Sequence, residues 1–168
     1  MAPTRALPAL WLSMAAAASY VVGEKYCRLC YLKGSSMVPT IQAQGDVGLL
    51  DRRCLAGYDF SHGDVVVFRL STDHGMKMVQ RLIALPGDWI QIPEKRDIRQ
   101  VPSGHCWVEG DNAGNSWDSR HYGPVPLDLM EGKITHIIWP PHRVRRVDRM
   151  VPEGRIMPLS ATPRRKQQ

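Results

Sequence analysis

Gly34-Ser35-Ser36-Met37-Val38-Pro39-Thr40 is the segment that organises the chain. A glycine, two hydroxyls, an apolar methionine and a proline–threonine brake describe a rigid surface loop, and such a loop can hold a serine side chain clear of the backbone. Pro39 fixes its own φ and turns Val38 away from helical geometry, so the segment after Ser36 does not continue as a helix. Ser36 reads as a presented hydroxyl. The plainer alternative is a polar turn, and the rest of the chain decides between them.

The 168 residues suffice for one domain with attachments. A hydrophobic share of 43% against 23% charged residues describes a globular chain with a buried core. The net charge of +6 would attract phosphate, in nucleic acid or in acidic lipid. It is concentrated in the run from His142 to Arg149 and in Pro163-Arg164-Arg165-Lys166, the pattern of a solvated tail. No zinc-finger, helix-turn-helix or RNA-binding signature accompanies it, so nucleic acid is not an expected partner. Cys27 and Cys30 form a C-x-x-C that supplies only two of the four ligands a structural zinc needs, while Cys54 and Cys106 stand alone. They read as buried or membrane-proximal thiols.

Ala6 to Gly23 contains no charged side chain. This run fits a membrane anchor, a cleaved targeting peptide or an ordinary apolar helix; Arg5 and the small residues Ala15 to Ser19 loosely satisfy the second. The anchor is preferred, because cleavage would leave Ser36 close to a new N-terminus. The expected divisions are 1–23 as anchor or targeting segment, 24–148 as the folded domain and 149–168 as a basic, disordered tail.

From Lys33 onward, short apolar runs broken by Gly, Asp and Pro give the punctuation of a mainly β domain. Strands are expected at Asp46–Leu50, Val65–Phe68, Lys77–Leu85, Trp89–Ile92, His105–Glu109 and Lys133–Trp139. Pro126 to Met130 reads as one helical turn, and Gly110 to Arg120 as a polar loop. Strands at this spacing without long helices make a compact barrel or folded sheet.

Four segments now stand in order: the Ser36 loop, Gly63-Asp64-Val65-Val66-Val67, Gln80-Arg81-Leu82-Ile83-Ala84-Leu85-Pro86-Gly87-Asp88, and Gly110-Asp111-Asn112-Ala113-Gly114-Asn115-Ser116-Trp117-Asp118-Ser119-Arg120. This order resembles the type I signal peptidase family of serine endopeptidases. The small size, Trp107-Val108-Glu109-Gly110-Asp111, Gly123-Pro124-Val125 and Trp139-Pro140-Pro141 look most like its mitochondrial inner membrane protease branch, particularly the subunit 2 type. The resemblance implies a mainly β, signal-peptidase-type folded sheet behind an N-terminal membrane-anchor helix. Ser36 then matches the nucleophile that forms an acyl-enzyme, its backbone N–H an oxyanion donor, and Met37 a residue lining the cleft. Gly34 stands where many relatives carry a second, hydroxyl donor. Ser116 matches the hydroxyl that orients the base. Asp118 and Arg120 match a supporting ion pair whose plainer role is to brace the loop, and Arg81 matches the arginine beside the base.

The departure is at the base itself. Where the family has a lysine, immediately before that arginine, this chain has Gln80, and a carboxamide neither titrates near neutral pH nor accepts a proton usefully. Strand alternation puts Gln80 on one face with Met78 and Leu82, pointing into the cleft, and puts Lys77, a possible substitute base, on the other. His74 and His121 are the remaining candidates. What the resemblance implies is a membrane-bound serine endopeptidase that removes sorting presequences on the intermembrane-space face of the mitochondrial inner membrane. It would work beside a related subunit, without metal or organic cofactor. The alternative is a catalytically silent subunit that binds presequences or stabilises an active partner.

Overall fold

Val65-Val66-Val67-Phe68 has no polar side, so both of its faces must be covered, and its place in the fold follows from that. In a computed structural model that describes residues 25–70, 76–92 and 97–157, this run forms β3 (Val65–Arg69) in the interior of an eight-stranded sheet. Val65 and Val67 pack with Leu32, Met37, Ile41 and Ile134, while Val66 and Phe68 pack with Leu82, Cys106 and Val108 on the other face.

The neighbours of β3 are β4 (Lys77–Ala84) and β9 (Met130–Trp139), both antiparallel to it. Beyond β9 lie β2 (Val47–Asp51) and then β1 (Cys27–Tyr31), with β10 (Arg145–Arg146) also on β9; beyond β4 come β7 (His105–Glu109) and β8 (Val125–Pro126). A second, three-stranded sheet joins β5 (Trp89–Ile92), β6 (Asp97–Gln100) and β11 (Ile156–Met157) over Ile83, Ile90, Ile92, Val101 and Trp107. One short helix, α1 (Ser119–Tyr122), closes the polar loop. The chain is thus mainly β, as expected, and the helical turn expected near Pro126–Met130 is a 3-10 turn at Leu127–Leu129.

Two features differ from the sequence reading. The C-x-x-C lies in β1, the last strand on its side of the sheet among the described residues, and Cys27 and Cys30 are both free. Its outward Leu29 and Tyr31 are exposed, so β1 carries no alternating apolar signal to mark it as a strand. Burial pushes the Cys54 thiol up to about 11 and the Cys106 thiol up to about 12. The second difference concerns residues 149–157, which the sequence places in a basic tail. They pack against the domain: Arg149 Nε lies 2.6 Å from Asp64 Oδ1, Arg155 pairs with Glu109, and Ile156 stands opposite Ile90. Just before them Arg143 clamps Asp46 at 2.9 and 3.0 Å. Asp46, Asp64 and Glu109 are buried carboxylates and need counter-charges, which this basic segment supplies.

The apolar run Ala6–Gly23, His74 and the segment 158–168 lie outside the described residues. Among the described residues no helix is long and apolar enough to cross a membrane.

Candidate active site

The Ser36 loop is a run of turns rather than a helix. Its entry is held by the Gly34 N–H on Ala43 O at 2.9 Å, its exit by the Ile41 N–H on Met37 O at 2.8 Å. Gly34 has φ of +118°, a conformation that favours glycine over any hydroxyl-bearing residue. Met37, 2% exposed, drives its side chain into the core between Leu32 and Ile41, which leaves the preceding Ser36 half-buried at the surface. Neither the Ser36 hydroxyl nor its N–H is hydrogen-bonded to any described residue.

The polar loop is latched onto this one. The Asn112 N–H donates to Ser36 O at 2.8 Å, Asn112 Nδ2 to Ser35 O at 3.1 Å, and Asn115 Nδ2 to Ser35 Oγ. Gly110 makes the approach possible. A Cβ there would lie 2.3 Å from Ser116 Oγ and 2.6 Å from Ser36 O, so no other residue fits without moving the loops apart. Ser116 and Ser36 therefore meet across Gly110, and the buried Ser116 hydroxyl interacts with the Asp118 carboxylate.

Asp118 and Arg120 hold Gly110 in place. The fully buried Asp118 takes two contacts from the Arg120 guanidinium, at 2.9 and 2.6 Å, and a third from the Gly110 N–H at 3.0 Å. Burial alone would raise the Asp118 carboxyl. Arg120, the Gly110 N–H and the Ser116 hydroxyl outweigh it and hold the group below the ordinary aspartate value. Asp118 also caps α1, accepting the Arg120 N–H.

Gln80 reaches the same loop from the other face of β4. Its Nε2 donates to Trp117 O at 2.7 Å, and its Oε1 accepts the Tyr122 hydroxyl at 2.7 Å. The side chain is completely buried, on the face that carries Met78 and Leu82, and does not border the groove beside Ser36. That groove, about 250 Å³, lies between the Ser36 loop and Met76–Val79, and Lys77 is on its wall. The β3–β4 register runs without a bulge from Arg69↔Lys77 to Val65↔Arg81, so Lys77 shares its face with Val79 and Arg81, opposite Gln80. This face, rather than that of Gln80, packs against the Met37 loop. Lys77 Nζ is itself engaged, 2.7 Å from Glu131 Oε2.

Arg81 binds the two loops together. Its guanidinium meets both Asp111 oxygens at 2.7 Å, Gly63 O at 2.7 Å, Asp148 O at 2.9 Å and Thr40 Oγ1 at 3.3 Å. His121 stands outside this network, stacked on the Trp117 ring with centroids 4.5 Å apart. Sequence reasoning missed Gly110, Asn112, Asn115 and Tyr122 as site-building residues. The first three lie in a loop whose Gly-Asp-Asn opening was the available signal; nothing in the sequence marks Tyr122 as the partner of Gln80.

A sequence model of the family described as signal peptidase, peptidase S26, matches residues 6–99 and 91–139. Mitochondrial inner membrane protease subunit 2 of Danio rerio is 39% identical over 136 residues, covering 76% of this chain and 74% of the relative. The Mus musculus subunit 2 is 39% identical over 129 residues, 74% of each chain, and Mus musculus subunit 1 is 38% identical over 125 residues, 72% of each. Among solved structures, a signal peptidase I of Enterococcus faecalis matches 46% of this chain and 97% of its own, at 24% identity and a TM-score of 0.39. Resting on the sequence matches, which span most of the domain, the assignment is that this chain belongs to the signal peptidase family, peptidase S26.

Proposed function

We propose that the chain is a membrane-bound serine endopeptidase that removes N-terminal sorting presequences from proteins at the mitochondrial inner membrane, with its folded domain on the intermembrane-space side. Ser36 is the nucleophile and its N–H an oxyanion donor. The observation that carries this reading is the unengaged Ser36 hydroxyl and N–H at the edge of an open groove, next to a side chain anchored in the core. β4 offers a place for an extended substrate. Its contacts with β7 begin only at Arg81↔Glu109, so the backbone of Lys77 to Gln80 has no strand partner on that side among the described residues. A peptide laid there as an added strand passes Ser36. The subunit names of the relatives support a related subunit as partner, and the apolar run Ala6–Gly23 supports contact with membrane lipid.

A second reading is supported by a specific observation. Gln80 is bonded at both ends of its amide and holds no titratable proton, and the buried Ser116 hydroxyl interacts with the Asp118 carboxylate. A catalytically silent subunit, binding presequences or stabilising an active partner, would look like this. The full chain, purified in detergent and incubated with peptides spanning presequence–mature junctions, separates the two by product masses. The enzyme reading expects one cut per peptide and a rate for Gln80→Lys within about threefold of wild type, the base being elsewhere. Cleavage by Gln80→Lys alone supports the silent subunit, and absence of cleavage by either overturns the enzyme.

A further inference from the structure

Large apolar side chains at a surface ordinarily collapse onto whatever cover is near, yet Trp117, one residue past Ser116, is 62% exposed. Its ring is nevertheless held in place. His121 stacks beneath it with an interplanar angle of 17°, and His121 is fixed in turn by its Nδ1, which accepts the Asp118 N–H at 3.5 Å. The Trp117 backbone is pinned by Gln80, and the loop that leads to it is latched to Ser35 and Ser36 by Asn112 and Asn115. Trp117 is therefore a preorganised aromatic surface, one face covered and one open, on the loop latched to the candidate nucleophile. Ordering a side chain on binding costs free energy, and a ring already ordered avoids that cost.

We infer that Trp117 is a specificity-determining residue: its open face receives an apolar side chain of the polypeptide that crosses Ser36. The inference rests on the peptidase-family reading of the groove and holds for an active or a silent subunit, since both bind the same chain. Charge selects an apolar occupant over a cationic one. Lys33 and Lys77 line the groove, Glu131 beside Lys77 is already paired with Lys77 and Arg69, and the Asp118 carboxylate is wholly buried against Arg120, so among the described residues no unpaired carboxylate at this rim draws in a cation. Among the described residues the ring belongs to none of the three hydrophobic clusters. Its loss should leave stability unchanged while weakening the bound peptide.

The test uses the full chain in detergent and fluorescein-labelled peptides spanning a presequence–mature junction, with a single Leu moved through otherwise polar positions. The expected result is that one Leu position binds best to wild type, that Trp117→Ala weakens this peptide about tenfold and the all-polar peptide little, and that Trp117→Phe recovers most of the affinity. The melting temperature of both variants should stay within about 2 °C of wild type. Where cleavage is measurable, the loss should fall on KM rather than kcat. Equal weakening of every peptide, an unchanged Kd, or an effect confined to retention on phosphatidylcholine–cardiolipin vesicles would overturn the assignment of Trp117 alone. Failure of wild type to bind any of the peptides overturns it together with the reading it rests on.

Discussion

Ser36→Ala should lower the rate of presequence-peptide cleavage by at least about a thousandfold, to the level set by binding and any remaining oxyanion donor. Removal of the hydroxyl removes the atom that would form the acyl bond, and no neighbour can replace it. The Ser35 hydroxyl is the nearest in sequence, but Ser35 Oγ accepts the Asn115 amide. The substitution is also a clean one. Ser36 Oγ has no hydrogen-bond partner among the described residues, so truncation to a methyl group leaves no orphaned donor or acceptor and no cavity. The backbone carbonyl that holds the Asn112 N–H is retained. Melting temperature and peptide affinity should therefore match wild type while turnover disappears, a combination that a merely structural serine does not give. Equal rates for wild type and Ser36→Ala would end the assignment of Ser36 as nucleophile.

The strands could be read where both faces or one face carried a regular apolar pattern. Val65–Phe68, Trp89–Ile92 and His105–Glu109 lie where they were expected because burial dictates their composition. β1 and β6 were illegible for the opposite reason: each lies at the edge of its sheet among the described residues, and their outward Leu29, Tyr31 and Ile98 are as exposed as loop residues. The basic segment from Arg143 to Arg155 was misread by composition. Sequence shows the cations but not that Asp46, Asp64 and Glu109 are buried beneath them. At the site, the Asp118–Arg120 ion pair was legible from the chain order of the boxes, which also singled out Ser36 and Ser116. Alternation correctly separated Lys77 from Gln80 but not which face meets the Ser36 loop. That choice follows from the burial of Met37 against Val65 and Val67, a long-range contact with no local signature.

Arg81→Leu should be the most destabilising single change in the domain, costing about 3–5 kcal/mol and lowering the melting temperature by about 10 °C. Arg81 is 2% exposed and its partners come from four separate segments: Thr40 at the end of the Ser36 loop, Gly63 before β3, Asp111 in the polar loop and Asp148 beyond β10. A leucine keeps an apolar stem but ends well short of the guanidinium, and leaves the Asp111 carboxylate, 14% exposed, and two carbonyls without donors. Turnover should fall further than stability alone explains, because Asp111 directly precedes the Asn112 N–H that holds Ser36 O. Arg81→Lys keeps the charge but cannot reach both Asp111 oxygens and two carbonyls from one ammonium, so it should recover less than half of the loss. Thermal unfolding followed by circular dichroism checks both variants, and a shift under about 2 °C for Arg81→Leu would show that the clamp is dispensable. The double variant Arg81→Leu with Asp111→Asn is the decisive control. If the cost lies in an unpaired buried carboxylate, neutralising Asp111 should restore part of the stability lost in the single variant; if it lies in the two freed carbonyls, the second substitution should restore none.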